Sequence, residues 1–76
     1  MTDGKTPRVT APQLRKAVER AGFLATRQSG SHVILRNSEG KRVTLPMHAG
    51  QTLLPKLVRA ILRDAGLTAD DLRDLL

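Results

Sequence analysis

The tripeptide Gly30-Ser31-His32 contains one of the two histidines of the chain and directly precedes an apolar run. An imidazole both donates and accepts a proton near neutral pH, and beside basic residues it has the chemistry that phosphodiester cleavage requires. The other histidine, His48, is a candidate helper for the same reaction. An alternative interpretation stays open, in which both are unrelated surface residues of an ordinary sheet.

The elements that would position these histidines begin with a helix. Thr10 and Gln13 have the spacing of a capping box, and apolar residues then recur at helical intervals. Gly22 is predicted to end this helix as a left-handed cap. The polar residues 1–9 are predicted to be a disordered lead-in to a single domain over residues 10–76.

Three strand candidates follow, at residues 23–28, 31–37 and 41–47. Gly40 is predicted to close a three-residue hairpin loop between the last two strands. The pairing that sets His32 opposite Pro46 places Val33 and Leu35 on one face, and a slip of one residue would separate them from the apolar residues of the third strand. Those residues are Val43, Leu45 and Met47. This pairing makes His48 the diagonal neighbour of His32 on the other face.

A second helix is predicted from about Pro55 to Gly66, and a short terminal helix after Thr68. The predicted buried stripe of the second helix is Leu57, Val58, Ile61, Leu62 and Ala65. The order helix, three strands, helix, with an added short C-terminal helix, predicts an α+β fold of two layers. In this fold both helices cover the apolar face of a three-stranded antiparallel sheet. The opposite face, with His32 and His48, is left open.

The charge of the chain favours an anionic partner. The net charge is +6, and residues 1–63 contain twelve basic residues against three acidic ones. Nucleic acid is the commonest polyanion in a cytoplasm, although a solvated basic surface would have the same composition. Because Phe23 is the only aromatic residue, base stacking on an aromatic platform is excluded.

Several function classes are excluded by composition. The chain has no cysteine, which removes disulfides and thiolate metal sites and is typical of a reducing cytoplasm. No apolar stretch approaches the ~20 residues that span a bilayer, so no membrane association is expected. Two histidines without a nearby carboxylate fall short of a usual metal site, so neither a metal nor another cofactor is predicted.

Basic and small residues near the open face are candidates for RNA contact. Arginines there would bind phosphate and stabilise negative charge in a transition state; the alternative is a role in solubility. Basic residues of the second helix would either contact a nucleic-acid backbone or form the solvated side of that helix. The candidate RNA-binding residues are Arg27, Gly30, Ser31, Arg36, Lys41, Arg42, Lys56 and Arg59.

Four segments, in their order and spacing, resemble the HicA family of toxins over about residues 10–74. They are the run that ends in Ala21-Gly22-Phe23, Arg27-Gln28-Ser29-Gly30-Ser31-His32, Pro46-Met47-His48 and residues 61–68. The resemblance implies a fold like the double-stranded RNA-binding domain, mRNA interferase activity in a bacterial or archaeal cytoplasm, and a HicB antitoxin that blocks the active face. It also implies that His32 is the catalytic histidine.

The chain departs from the family pattern at two places. Many members carry a second histidine directly after the first, where this chain has Val33. Members often begin the second helix with Gly-Thr, where this chain has Leu54-Pro55-Lys56. Together with the chemistry of His32 and the basic face, the resemblance implies a metal-independent toxin endoribonuclease. A non-catalytic RNA-binding module of the same fold and a protein-interaction domain with an acidic partner are the alternatives.

Overall fold

The computed structural model describes residues 6–47 and 51–76, which form six elements in the order α-β-β-β-α-α. These are α1 (Ala11–Arg20), β1 (Leu24–Ser29), β2 (His32–Arg36), β3 (Arg42–Pro46), α2 (Pro55–Ala65) and α3 (Ala69–Leu75). The strands form one antiparallel sheet in the order β1-β2-β3. The predicted α+β fold, including its short C-terminal helix, is confirmed.

The helices begin and end at the residues that the sequence marked for these roles. The Thr10 hydroxyl accepts a hydrogen bond from the Gln13 amide at 3.3 Å, and the Gln13 side chain accepts one from the Thr10 amide at 2.9 Å. Thr68 and Asp71 form the same reciprocal pair before α3. Each pair satisfies two amide groups that a helix leaves without a partner at its first turn.

The register of β2 with β3 decides which side chains are buried. His32 pairs with Pro46 and Leu35 pairs with Val43, as predicted. The alternate residues Val33, Leu35, Val43 and Leu45 are at most 2% exposed and face the helices. The side chains that alternate with them lie on the open face. They are His32, Ile34 and Arg36 on β2, and Arg42, Thr44 and Pro46 on β3.

The helices cover β2 and β3 but not β1. All six residues of β1 are exposed, including Ala25 and Gln28, which lie on the same side of the sheet as the core. Phe23, just before β1, is buried in the core and is only 1% exposed. The first strand begins and ends one residue later than the predicted range of 23–28. It also extends beyond the helix layer.

Two further residues differ from the sequence-based expectation. Val9 was predicted in the lead-in, but it is 2% exposed, and its carbonyl accepts a hydrogen bond from the Leu53 amide. Leu57 was predicted in the buried stripe of α2, but it is 37% exposed, because it lies at the margin of that stripe. Among the described residues, no helix is long and apolar enough to cross a membrane.

The two-layer arrangement predicts unequal effects for one substitution at two neighbouring positions of the sheet. Leu35→Ala removes a fully buried side chain and should lower the free energy of unfolding by about 2–5 kcal/mol. Leu24→Ala, the matched control, removes a side chain that is 73% exposed and should change it by less than about 0.5 kcal/mol. Urea unfolding of both variants measures the difference; equal losses would contradict the uncovered position of β1.

Candidate functional site

His32 is positioned by the tight turn that joins β1 to β2. Ser29 and His32 are directly paired, so Gly30 and Ser31 are the two central residues of a hairpin turn. Gly30 has a φ of +58°, whereas the φ of Ser31 is not positive. This combination fits a type II′ turn, which takes glycine at its first central position and matches the twist of the strands. The glycine of the Gly-Ser-His tripeptide is therefore required by the turn that places the histidine.

The neighbours of His32 on the open face follow from the pairing of the three strands. Ser29 lies directly opposite on β1 and Pro46 directly opposite on β3. Arg27, which pairs with Ile34, is one step further along β1 on the same face. Diagonal neighbours in a sheet are about 7–8 Å apart at their α-carbons, so an arginine side chain at this position can reach an anion bound at the histidine. Arg27 is the basic residue of the open face closest to His32 in this pairing.

Arg36 and Arg42 lie at the opposite end of the open face. They pair with each other, and Arg36 is four residues from His32 along β2. At ~3.3 Å per residue, this places the pair about 13 Å from the histidine. The face thus has a histidine at one end, two paired arginines at the other, and Arg27 between them.

Three other predicted RNA contacts lie away from this face. The side chain of Lys41 passes over Gly66 after α2, with its Cε 3.0 Å from the position that a β-carbon there would occupy. A cation at this place also interacts favourably with the carboxyl end of the helix. Lys56 and Arg59 are exposed on α2, outside the stripe that packs on the core, and so lie on the helix layer.

The open face contains cations without nearby carboxylates. In the part of the chain that the structure describes, neither Arg27, Arg36 nor Arg42 forms an ion pair, and the ion pairs present lie within α1 and α3. Glu39 is the nearest acidic residue along the chain, in the loop after β2. The field over the face is therefore positive and suited to a phosphate group.

The structure adds one residue that the sequence reasoning missed, and one of the predicted site residues lies outside the part of the chain that it describes. Ser29 lies directly opposite His32, but the strand was predicted to end at Gln28, so its pairing was not expected; Gly30 as the first central residue of a two-residue turn was the available signal. His48 lies outside the described residues. Within residues 6–47 and 51–76, no three histidine or acidic side chains are grouped so that they could hold a metal ion.

Fold and site together define a class: small basic α+β domains that present a histidine and arginines on an open sheet face. Comparison with protein families is more specific. The family model described as HicA toxin of bacterial toxin-antitoxin matches residues 11–67, from the start of α1 to just beyond α2, and includes His32. The chain therefore belongs to the HicA toxin family, as the resemblance indicated. A search of curated proteins finds no match.

The turn before His32 predicts a specific sensitivity at Gly30. A β-carbon there would meet no atom within 4 Å, so the cost of Gly30→Ala is conformational. We expect it to lower the free energy of unfolding by about 1–2 kcal/mol, because the positive φ disfavours an L-residue. Ser31→Ala is the matched control at the next position, with an expected change below about 0.5 kcal/mol. Equal stability of both variants in urea unfolding would contradict the glycine requirement of the turn.

Proposed function

We propose that the protein is the toxin of a type II toxin–antitoxin system and acts as a metal-independent endoribonuclease. It cleaves mRNA, arrests translation and growth, and is neutralised by a HicB-type antitoxin. Family membership supports the toxin role. The observation that carries the enzymatic part is the exposed position of His32 on a positive sheet face, with Arg27 as its diagonal neighbour.

The proposed reaction uses the RNA itself as the nucleophile. The 2′-oxygen attacks the neighbouring phosphorus, loses its proton, and forms a 2′,3′-cyclic phosphate as the bond to the 5′-oxygen breaks. The departing oxygen takes up a proton. His32 transfers a proton in this step, as the base for the 2′-hydroxyl or as the acid for the 5′-oxygen, and His48 is the candidate for the complementary transfer. A 2′-hydroxyl nucleophile explains a preference for RNA over DNA and requires no metal.

The basic residues supply binding and charge stabilisation in this proposal. Arg27 is close enough to stabilise the additional negative charge on the phosphorus oxygens as the 2′-oxygen attacks. Gly30 and Ser31 form the turn beside the cleaved phosphate, where a backbone without a bulky side chain allows close approach. Lys56 and Arg59 lie on the helix layer and would contact a more distant segment of a long mRNA. Lys41, beside the end of α2, would bind at the margin of the face.

The antitoxin is proposed to bind the same open face. The described side chains there offer cations but no carboxylate, so a partner that covers the face must bring acidic groups to match Arg27, Arg36 and Arg42. Such a partner would exclude RNA by direct competition. An mRNA substrate implies that the toxin acts in the cytoplasm.

His32→Ala is the variant that tests the proposed reaction. Because His32 is exposed and makes no packing contribution to the core, we expect a folded protein that binds RNA and antitoxin but neither cleaves labelled RNA nor arrests growth. The loss of cleavage should be at least ~10²-fold, the size of a general acid–base contribution. Lys16→Ala, an exposed change on α1, is the control and should cleave normally. Full cleavage by folded His32→Ala protein would contradict the proposal, and RNA binding without cleavage by the wild type would favour the non-catalytic module.

The diagonal position of Arg27 predicts that it contributes more to cleavage than a basic residue elsewhere. Arg27→Gln should lower kcat/KM by at least ~10-fold and up to the 10²–10³-fold typical of a removed charge-stabilising donor. Arg8→Gln removes the same charge from an exposed position before α1 and should lower kcat/KM by less than threefold, through the weaker overall field. Single-turnover cleavage at fixed ionic strength compares the two. Equal rates would show that Arg27 acts only through net charge.

A further inference from the structure

Arg36 and Arg42 form an arrangement that costs stability in the free protein. They are directly opposite each other on neighbouring antiparallel strands, and both are exposed. Like charges at directly opposed positions repel and destabilise the pair of strands. The core-facing register of β2 and β3 fixes this pairing, so the α-carbons of the two arginines stay opposed as long as the sheet is formed.

No acidic side chain of the described residues compensates the repulsion. Among the described residues, neither arginine forms an ion pair. Glu39 lies at the tip of the adjoining hairpin loop, where its amide donates to the Asn37 side chain at 3.0 Å, but its carboxylate does not pair with either arginine. Two directly paired arginines on a water-exposed strand pair form a site that an anion would stabilise, and phosphate matches the donor geometry of guanidinium.

We propose that Arg36 and Arg42 form a clamp for a second phosphate of the RNA strand whose cleaved phosphate lies at His32. This inference rests on the proposed function for the position of the cleaved bond. The pair lies about 13 Å from His32 along β2, which is longer than the step between neighbouring phosphates. The clamp therefore holds a different phosphate from the one that is cleaved, and a single strand would follow β2 between the two points.

The surface between the two points favours backbone recognition. The only aromatic residue of the chain, Phe23, is 1% exposed, so bases have no aromatic surface on which to stack. Ile34 and Thr44 pair at the centre of the face and offer one aliphatic and one hydroxyl side chain. Phosphate contacts must then supply most of the affinity, and such binding depends strongly on salt. The substrate that fits the clamp is therefore a single-stranded RNA. It has at least two phosphates on one side of the phosphate that contacts Arg27.

The first test measures binding without cleavage. A fluorescent single-stranded RNA oligonucleotide is titrated into the full chain in a His32→Ala background at several salt concentrations. Replacing Arg36 and Arg42 together by glutamine should weaken binding and reduce the slope of log affinity against log salt by about 0.7, because the clamp holds one phosphate and each phosphate contact in a single strand contributes ~0.7. The control replaces Arg8 and Lys16 by glutamine, an equal change of charge at exposed positions away from the open face.

The second test uses stability, and it separates a clamp from a structural role. Because Arg42→Gln removes the cross-strand repulsion, it should raise the Tm of the RNA-free protein by roughly 1–5 °C at low salt. If the two arginines instead stabilise the sheet by packing, the Arg42→Gln variant should have a lower Tm than the wild type. The wild type should gain more thermal stability from the oligonucleotide than the Arg42→Gln variant does.

The outcomes distinguish the clamp from the proposed cleavage. A salt slope equal to that of the control pair, an absence of RNA binding by the His32→Ala parent, or a lower Tm for Arg42→Gln would each overturn the clamp. If the clamp variants behave as expected while the wild type cleaves no RNA, the clamp stands and the proposed cleavage fails. If the wild type cleaves RNA and the double variant binds and cleaves as the control does, the clamp alone fails.

Discussion

The pairing of β2 with β3 in a single register is the constraint on which the rest of the structure depends. Val33 and Leu35 must face the helices together with Val43 and Leu45, because these four side chains are the contribution of the sheet to the core. A shift of one residue would expose half of them. The same alternation places His32 at one end of the open face and Arg36 opposite Arg42 at the other. Burial of apolar side chains thus fixes the geometry of the charged ones.

Much of the fold is predictable from local patterns that have one physical solution. The capping box of Thr10 and Gln13, the glycine at position 66, and the alternation from Val33 to Leu45 each satisfy a local requirement of backbone or burial. The register followed because only one pairing buries Val33 and Leu35 on the same face as Val43 and Leu45. The position of His32 on the open face was therefore available from the sequence.

The features that escaped prediction depend on contacts between distant parts of the chain. Val9 is in the core because its backbone meets Leu53, which no local pattern indicates. The exposure of β1 on both sides results from the width of the helix layer, which covers two strands rather than three. The separate places of the basic residues also depend on tertiary structure, because Lys41 lies beside the end of α2 and Lys56 lies on the helix layer, whereas Arg27 lies diagonal to His32.

The central claim is that His32 promotes attack by the 2′-oxygen of RNA, and the substrate offers the most direct test. Wild-type protein is incubated in a chelator with an RNA of mapped cleavage site and with the same RNA carrying one 2′-deoxynucleotide immediately before the cleaved bond. The account predicts cleavage of the all-RNA strand to a cyclic-phosphate end, and no cleavage of the modified strand at that bond despite equal binding. Cleavage of the modified strand at an unchanged rate would contradict the account.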